Sequence, residues 1–435
     1  MYACGPTVYN PPHIGNARAA VVYDLVYRVL RRHFPNVVYA RNITDVDDKI
    51  NAAAAEQGIP ISEVTARYAA VYHADVEALG VLEPVIEPRA TEHIGQIIEM
   101  IETLIAREFA YAAEGHVLFH VPSFPDYGRL SGRNREEMIA GARVEVAPYK
   151  RDPADFVLWK PSASELPGWD SPWGRGRPGW HIECSAMIRE HLGTTIDIHG
   201  GGNDLKFPHH ENEIAQSCCV HDHAPLARYW IHNGFVEIES EKMSKSIGNV
   251  LLVRDLLKHF PGEAIRMALI RTRYREPLNW DTGLIEQAKN QLDRIYGALE
   301  RVSGRVQAHD PDAKPCAAFC AAMDDDLNTP LALSVLMEQV GELNRSEDVQ
   351  QLTTLCDEIL AGGLELGILQ QQPDKWLKQD VSGELDVAHI EALIEARDRA
   401  RSDKDWARAD AIRDELAAMR IQIQDGPNGT EWRAE

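Results

Sequence analysis

Residues 207–213 read FPHHENE, which sets two histidines and two glutamates into five consecutive positions. Side chains of these types can ligate a metal, relay protons or decorate a solvated helix. Pro208 suits the first turn of a helix, where its missing N–H is harmless. His209 and Glu213 then stand at i and i+4 on one face, half of a tetrahedral donor set. Thiolates are the natural complement, and Cys184 in GWHIECSAM is close along the chain. Taken alone, these segments fit an exposed helix and a core cysteine slightly better than a metal site. A zinc-protease motif is not present, because H-E-x-x-H needs a second histidine where Ile214 stands.

Two other stretches carry possible chemistry. PPHIGNAR (11–18) follows a strand and opens a helix, so His13 and the backbone of Gly15 face the strand's C-terminal edge near the helix's positive end. EKMSKSIGN (241–249) is a short cationic loop in which Lys242 and Lys245 stand three apart among serines. Such a loop is ordinarily solvated surface, but it could also clamp a polyphosphate.

The elements that must position these residues follow from hydrophobic periodicity. MYACGPTVY and VVYAR (37–41) read as strands, with ARAAVVYDLVYRVLRRHF between them at helical spacing, a unit that predicts a parallel sheet. TTIDIHGGGNDL (194–205) alternates and then breaks into glycines, like a strand opening onto a ligand loop, and HAPLARYWIHNGFVEI reads as a further strand region. Residues 115–175 are short-patterned and rich in Pro, Gly and Arg, as an insertion would be, and the chain beyond 284 is helical. The expected architecture is α/β. A Rossmann-type catalytic domain (1–95 and 175–225) carries a connective insertion (96–174). A lysine-loop region (226–283), a helix bundle (284–369), a polar linker (370–386) and a small α+β domain (387–435) follow, the last ending in a hairpin around GPNG.

Composition narrows the class. With 44% hydrophobic and 26% charged residues the chain is globular, and no apolar run is long enough for a bilayer. Seven cysteines at irregular spacing favour a reduced, cytoplasmic protein over a disulfide framework. A net charge of −22 argues against affinity for nucleic acid by charge alone, and leaves room only for a restricted basic track.

Together and in this order, HIGN, GWHIECSAM, HGGGNDL, FPHHENE and KMSKS resemble the cysteinyl-tRNA synthetases, a family of class I aminoacyl-tRNA synthetases. RNITDVDDKI, DFVLWK, MDDDLNTP and DGPNGTEWR extend the likeness over essentially the whole chain. The resemblance implies one Zn2+ held by Cys4, Cys184, His209 and Glu213, receiving the thiol of L-cysteine. It implies Thr44 and Trp180 around the amino acid, Gly202 and Asp204 at the adenosine, and His13, Gly15 and Lys245 at ATP with Lys242 assisting. Mg2+ is expected with ATP. A shape-selective pocket separates side chains differing by one small group by only about 10–200-fold, whereas discrimination of ~10⁴ needs ~5.5 kcal/mol. A metal with affinity for sulfur can supply that difference, so no editing domain is expected.

The family's second motif histidine is Asn16 here, which can donate a hydrogen bond but carries no charge. Cys4 stands close to Met1, and a ligand so near a chain end is expected to fray. For tRNA(Cys), a C-terminal reader is expected. Arg397, Arg399, Arg401, Lys404 and Arg408 are assigned to its first helix, Trp432 and Arg433 to RNA contact, and Trp406 to the core. A monomer is the default. The rivals are a cysteine–glucosaminyl-inositol ligase, which needs no anticodon reader, and an inert zinc-containing RNA-binding relative. The DWARADAIRDELAAM segment and the intact lysines argue against them.

Overall fold

The computed structural model describes residues 1–133, 137, 147–238, 241–242, 250–307, 309–378, 387–419, 421–426 and 429–434. It resolves two compact units. One is built from Met1–Glu77, Val81–Leu252 and Tyr274–Asn279, the other from Ala78–Gly80, Val253–Arg273 and Trp280–Glu435.

The first unit is organised by a four-stranded parallel sheet of β1 (Tyr2–Ala3), β2 (Ala40–Arg41), β7 (Ile196–Gly202) and β8 (Ala227–Asn233), in the order β2-β1-β7-β8. The α/β architecture expected from the sequence is the one found. β1 pairs with β2 (Tyr2↔Ala40) and with β7 (Tyr2↔His199), so it is a central strand. The Met1 amine donates to the Val38 carbonyl at 2.7 Å, and the Cys4 N–H to the Gly200 carbonyl at 3.0 Å. The expected fraying at Cys4 is therefore replaced by a strand pinned on both edges. α1 (Ile14–His33) crosses between β1 and β2 and buries Ile14, Ala17, Val21, Val22 and Leu25, the helical repeat that predicted it. α2 (Asp48–Gln57) and α3 (Ile61–Ala78) follow.

The inserted part is antiparallel. After α4 (Ile94–Ala106), strands β3 (Ala110–Ala113), β4 (His116–Phe119), β5 (Phe156–Pro161) and β6 (Gly176–Pro178) form a second four-stranded sheet. Its core side chains Val117, Phe119, Leu158 and Trp159 merge with Ile97, Met100 and Ile101 of α4. The same cluster takes in Ile182 and Ala186 of α5 (Trp180–Leu192) and Ala215 and Cys219 of α6 (Glu211–Val220). The insertion thus shares one core with the helices that carry the candidate ligands. Its sheet runs past the expected boundary at 174, and the parallel sheet takes β8 from beyond 225, because β8 continues the register of β7 from Ile196↔Ala227 to Gly202↔Asn233. β9 (Val236–Ile238), β10 (Glu241–Lys242) and β11 (Leu278–Trp280) make a small third sheet.

The second unit contains α7 (Val253–Leu256), α8 (Gly262–Leu269), α9 (Thr282–Val302), α10 (Ala317–Asp324), α11 (Thr329–Arg345) and α12 (Val349–Leu366); the last four lie within or overlap the stretch 284–369 read as a bundle, and α7 and α8 precede it. The segment read as a polar linker starts differently. Pro373–Leu377 is a short helix, α13, whose Trp376 stacks on Tyr296 at 4.7 Å and donates Nε1–H to Asp293 at 2.8 Å. The apolar area of one tryptophan outweighs the polar neighbours there; residues 379–386 lie outside the described residues. α14 (Val387–Ser402), α15 (Trp406–Ala418) and the hairpin β12 (Ile421–Gly426)–β13 (Gly429–Ala434) close the chain around Ile390, Ile394, Ile412, Leu416, Ile421 and Trp432.

Trp376→Ala is expected to destabilise the second unit by about 3–5 kcal/mol. Trp406→Ala, at a 60% exposed position, should stay within about 0.5 kcal/mol of the parent. Urea unfolding of the two variants side by side measures the difference.

Candidate metal centre and adjoining cavity

The four residues suspected from the sequence meet at the C-terminal end of β1. Cys4 follows that strand directly, and Cys184 sits on α5. His209 lies on a wide turn over Lys206–His210, broken by extended backbone at Phe207, and the regular helix begins only at Glu211. Pro208 is therefore not in the first turn of α6, as had been expected. The consequence drawn from it still appears: His209 Nε2 and Glu213 Oε1 are 3.0 Å apart.

The donor atoms lie within 4.8 Å of one another. Cys4 Sγ is 3.9 Å from Cys184 Sγ and 3.7 Å from Glu213 Oε1, and Cys184 Sγ is 3.6 Å from His209 Nε2. A tetrahedral ion with zinc's bond lengths separates two sulfurs by ~3.8 Å and a nitrogen from an oxygen by ~3.3 Å. The set fits one four-coordinate ion. A second grouping, Cys4, His199, His210 and Glu213, also satisfies the distance limit. It fits less well, because His199 Nε2 stands only 2.7 Å from Glu213 Oε2, further from the ~3.3 Å of a nitrogen and an oxygen on one such ion than the 3.0 Å of His209 and Glu213.

Electrostatics act on the four donors in opposite senses, favouring the ligating form of Glu213 and Cys184 and opposing that of Cys4 and His209. Burial alone would raise the Glu213 carboxyl, but His199 and His209 hold it well below the usual carboxylate range. The hydrogen bond with Cys4, against the opposing effect of burial, brings the Cys184 thiol down to about 6, while burial and the neighbouring Cys184 push Cys4 well above its ordinary value. His209 is pushed up to about 10 by Glu213 and Cys184 in spite of burial.

Around the donors lies a shell of which sequence reasoning named only Trp180. His181 Nδ1 stands 2.9 Å from His209 Nδ1, which directs Nε2 of His209 toward the donors. Burial, with His209 adding to it, drives His181 down to about 3, so it is a neutral acceptor there. Asn42 accepts from the Gly5 N–H at 2.9 Å with its Oδ1 3.9 Å from Cys184 Sγ, and Trp180 stacks on His209 at 4.1 Å. His199 stands on β7 and Glu213 on α6, so no local periodicity could have joined them. Glu211, the other glutamate of the motif, turns away and accepts the N–H groups of Gly128 and Ser131, both at 2.9 Å.

Cys4 also lines a cavity of about 680 Å³, whose wall includes Trp180, His13, Gly15, Gly202 and Asp204. One space thus joins Cys4, alone of the four donors, to the residues expected at a nucleotide. Thr44 does not line it; buried, it accepts from Asn42 Nδ2 at 3.2 Å and so backs the site. His13 caps α1: its Nδ1 accepts the N–H groups of Gly15 and Asn16 at 3.1 and 3.2 Å, which places the ring hydrogen of a neutral imidazole on Nε2. Asn16 Oδ1 accepts the His13 N–H at 3.1 Å, so this side chain completes a capping box. Lys242 is described through its backbone, paired with Glu237, and Lys245 lies outside the described residues.

The C-terminal candidates are redistributed. Trp432 is buried in the small core, and Trp406 is 60% exposed, the reverse of the expectation. In a domain this small the hairpin needs a large inward anchor, whereas Trp406 opens a helix just after its Asp405 cap. Arg397 is buried and holds Asp425 through its two terminal guanidinium nitrogens at 2.7 and 3.0 Å, so it locks α14 to the hairpin. Arg401 reaches the same carboxylate at 2.6 Å and is part exposed. Arg399 stands on α14, Lys404 in the following turn and Arg408 on α15, not all on one helix. Arg433 is described only by its backbone, opposite Gln422.

Cys184→Ser should lose most of its bound metal, because breaking the set leaves three donors and a hard oxygen in place of a soft thiolate. Metal analysis of the dialysed variant beside the parent measures this; full stoichiometric metal in the variant removes Cys184 from the set.

Family models match as "tRNA synthetases class I (C) catalytic domain" over residues 1–290, "DALR domain" over 318–370 and "Cysteinyl-tRNA ligase anticodon binding domain" over 387–433. A cysteine–tRNA ligase of Parvibaculum lavamentivorans is 60% identical over 434 residues, covering 100% of this chain and 92% of the relative. That of Xanthomonas campestris pv. campestris is 58% identical, covering 100% and 94%. Among solved structures, Mycobacterium tuberculosis methionyl-tRNA synthetase in complex with methionyl-adenylate superposes with a TM-score of 0.58 at 15% identity, over 87% of this chain and 93% of that one. The Agrobacterium radiobacter LeuRS–tRNA–LeuAMS ternary complex gives 0.62 at 11% identity, over 88% and 85%; both are likenesses of fold alone. By full-length identity and by its catalytic-domain match, the chain belongs to the cysteine–tRNA ligase family of class I aminoacyl-tRNA synthetases.

Proposed function

We propose that the protein joins L-cysteine to tRNA(Cys) in two steps on the cavity described above. In the first, a cysteine carboxylate oxygen attacks the α-phosphorus of ATP, the bond to the bridging oxygen breaks, and pyrophosphate leaves. In the second, the terminal ribose hydroxyl of the tRNA attacks the acyl carbon of the cysteinyl-adenylate and AMP leaves. The observation that carries this reading is the continuity of one cavity from Cys4 and Trp180 to His13, Gly202 and Asp204.

Zn2+ held by Cys4, Cys184, His209 and Glu213 would supply affinity for a thiolate over an alcohol or a methyl group. The chain's own residues do the rest. Trp180 closes over the His209 side of the amino-acid end, and Asn42 and Thr44 keep the Cys4–Gly5 backbone in place. The Nε2–H of His13 is the donor for phosphate oxygens, and the Asp204 carboxylate suits a ribose hydroxyl. Lys242 and Lys245 are assigned to the departing pyrophosphate and Mg2+ to ATP, and catalysis is placement and charge stabilisation without a covalent enzyme intermediate. Trp406, exposed and close in sequence to Arg401, suits stacking on an unpaired base. The protein is taken as a monomer in a reducing cytoplasm, the setting expected for seven irregularly spaced cysteines. Among the described residues no helix is long and apolar enough to cross a membrane.

Exchange of pyrophosphate into ATP should depend on cysteine and be negligible with serine, and labelled cysteine should transfer to tRNA and not to an amino-sugar. Absence of exchange with Zn2+ and Mg2+ present would favour an inert RNA-binding relative, and transfer to glucosaminyl-inositol would favour the other ligase. Trp406→Ala is expected to lower kcat/KM for tRNA by roughly 10-fold or more, the worth of one stacked base. Exchange, which needs no tRNA, should stay within about two-fold.

A further inference from the structure

The cavity wall facing the start of α1 is held by a buried arginine to which nothing above gives a role. We infer that Arg18 is a positioning residue for the nucleotide step: it fixes the separation of the two cavity walls that ATP must bridge. The inference rests on the ATP reading above.

Arg18 lies on α1 shortly after His13, Gly15 and Asn16 and is 1% exposed. Its Nη1 donates to the carbonyls of Gly234 and Phe235 at 3.2 and 2.6 Å, and its Nη2 to the carbonyl of Glu276 at 2.6 Å. Gly234 and Phe235 line the cavity together with His13, Gly15 and Asn16. One guanidinium therefore ties the first turns of α1 to the Gly234–Phe235 part of the cavity wall. That wall crosses the returning chain closely, the Gly234 N–H donating to the Tyr274 carbonyl at 2.7 Å and the Leu278 N–H to the Phe235 carbonyl at 2.8 Å. A Cβ at Gly234 would stand 2.3 Å from the Glu276 oxygen, so only glycine allows the crossing. On the other side the Ile14 N–H donates to the Leu251 carbonyl at 2.9 Å.

A guanidinium suits this task because its donors diverge in a fixed plane, so the positions of three carbonyls are set by one rigid group. The wall it holds runs from the end of β8 straight into β9, whose partner β10 ends at Lys242. The donor set of Cys4, Cys184, His209 and Glu213 is built from other contacts. A misplacement of about 1 Å between reacting groups costs about 10²-fold in rate. Loss of Arg18 should therefore fall on ATP and spare both cysteine and the metal.

The test is cysteine-dependent pyrophosphate exchange with Arg18→Met and Arg18→Lys, with metal content measured on the same samples. For Arg18→Met, kcat/KM for ATP should fall about 10²-fold with a raised KM for ATP. KM for cysteine and bound metal should stay within about two-fold of the parent. Arg18→Lys should fall between, since an ammonium keeps the charge but cannot span three carbonyls. A merely structural role would shrink the active fraction, lowering kcat with both KM values unchanged; that result, or unaltered ATP kinetics, overturns the inference. If Arg18→Met does not fold, Arg18→Lys carries the test beside Gly234→Ala, which forces the same segments apart and should reproduce the ATP-selective loss. Variants that match an active parent overturn this inference alone. A parent that does not exchange overturns the ATP reading itself and this inference with it.

Discussion

A carboxylate as deeply buried as Glu213 is tolerated only when its oxygens are met by donors or a cation, because an uncompensated buried charge costs several kcal/mol. Here Oε2 takes His199 at 2.7 Å, and Oε1 faces His209 and Cys4 at 3.0 and 3.7 Å. That requirement reaches outward. His199 must stand on β7, β7 must lie beside β1 to bring Cys4 in, and α5 must cross behind to deliver Cys184. The sheet order and the donor set are thus one arrangement, and neither is complete without the other.

How much of this was legible in the sequence depended on whether the signal was local. The i and i+4 relation of His209 and Glu213 survives although the helix starts later than the proline suggested, because a wide turn followed by a helix still stacks those residues. The joining of Cys4 to Cys184 is a long-range event with no local trace. It came from resemblance, and the distances among the donor atoms accord with it. His199 and Asn42 escaped notice because their partners lie on other elements. The tryptophans exchanged places for a related reason. Neither burial nor exposure of a single aromatic is encoded by its neighbours when the domain has one helix pair and one hairpin to divide between them.

Recognition of small molecules and the C-terminal helix–hairpin module draw on different physics. The cavity is lined by His13, Asn16, Asp204 and backbone groups, beside a donor set of buried cysteine, histidine and glutamate. The C-terminal module is held by a few apolar residues and by Arg397 clasping Asp425, and shows an indole and part-exposed guanidinium groups to solvent. The overall charge of −22 leaves little general attraction for RNA, so selective contacts of this kind must carry more of the affinity.

The central position of β1 has a consequence for how the chain is made. Its Tyr2 pairs with Ala40 on one side but with His199 on the other, so that second edge stays open while the intervening residues are synthesised. At ribosomal speeds of about 5–20 residues per second, that interval is roughly 10–40 s. A bare strand edge is a template for foreign strands during such a wait. With only two residues in β1 and a glycine and a proline soon after it, the exposed edge is too short to recruit them.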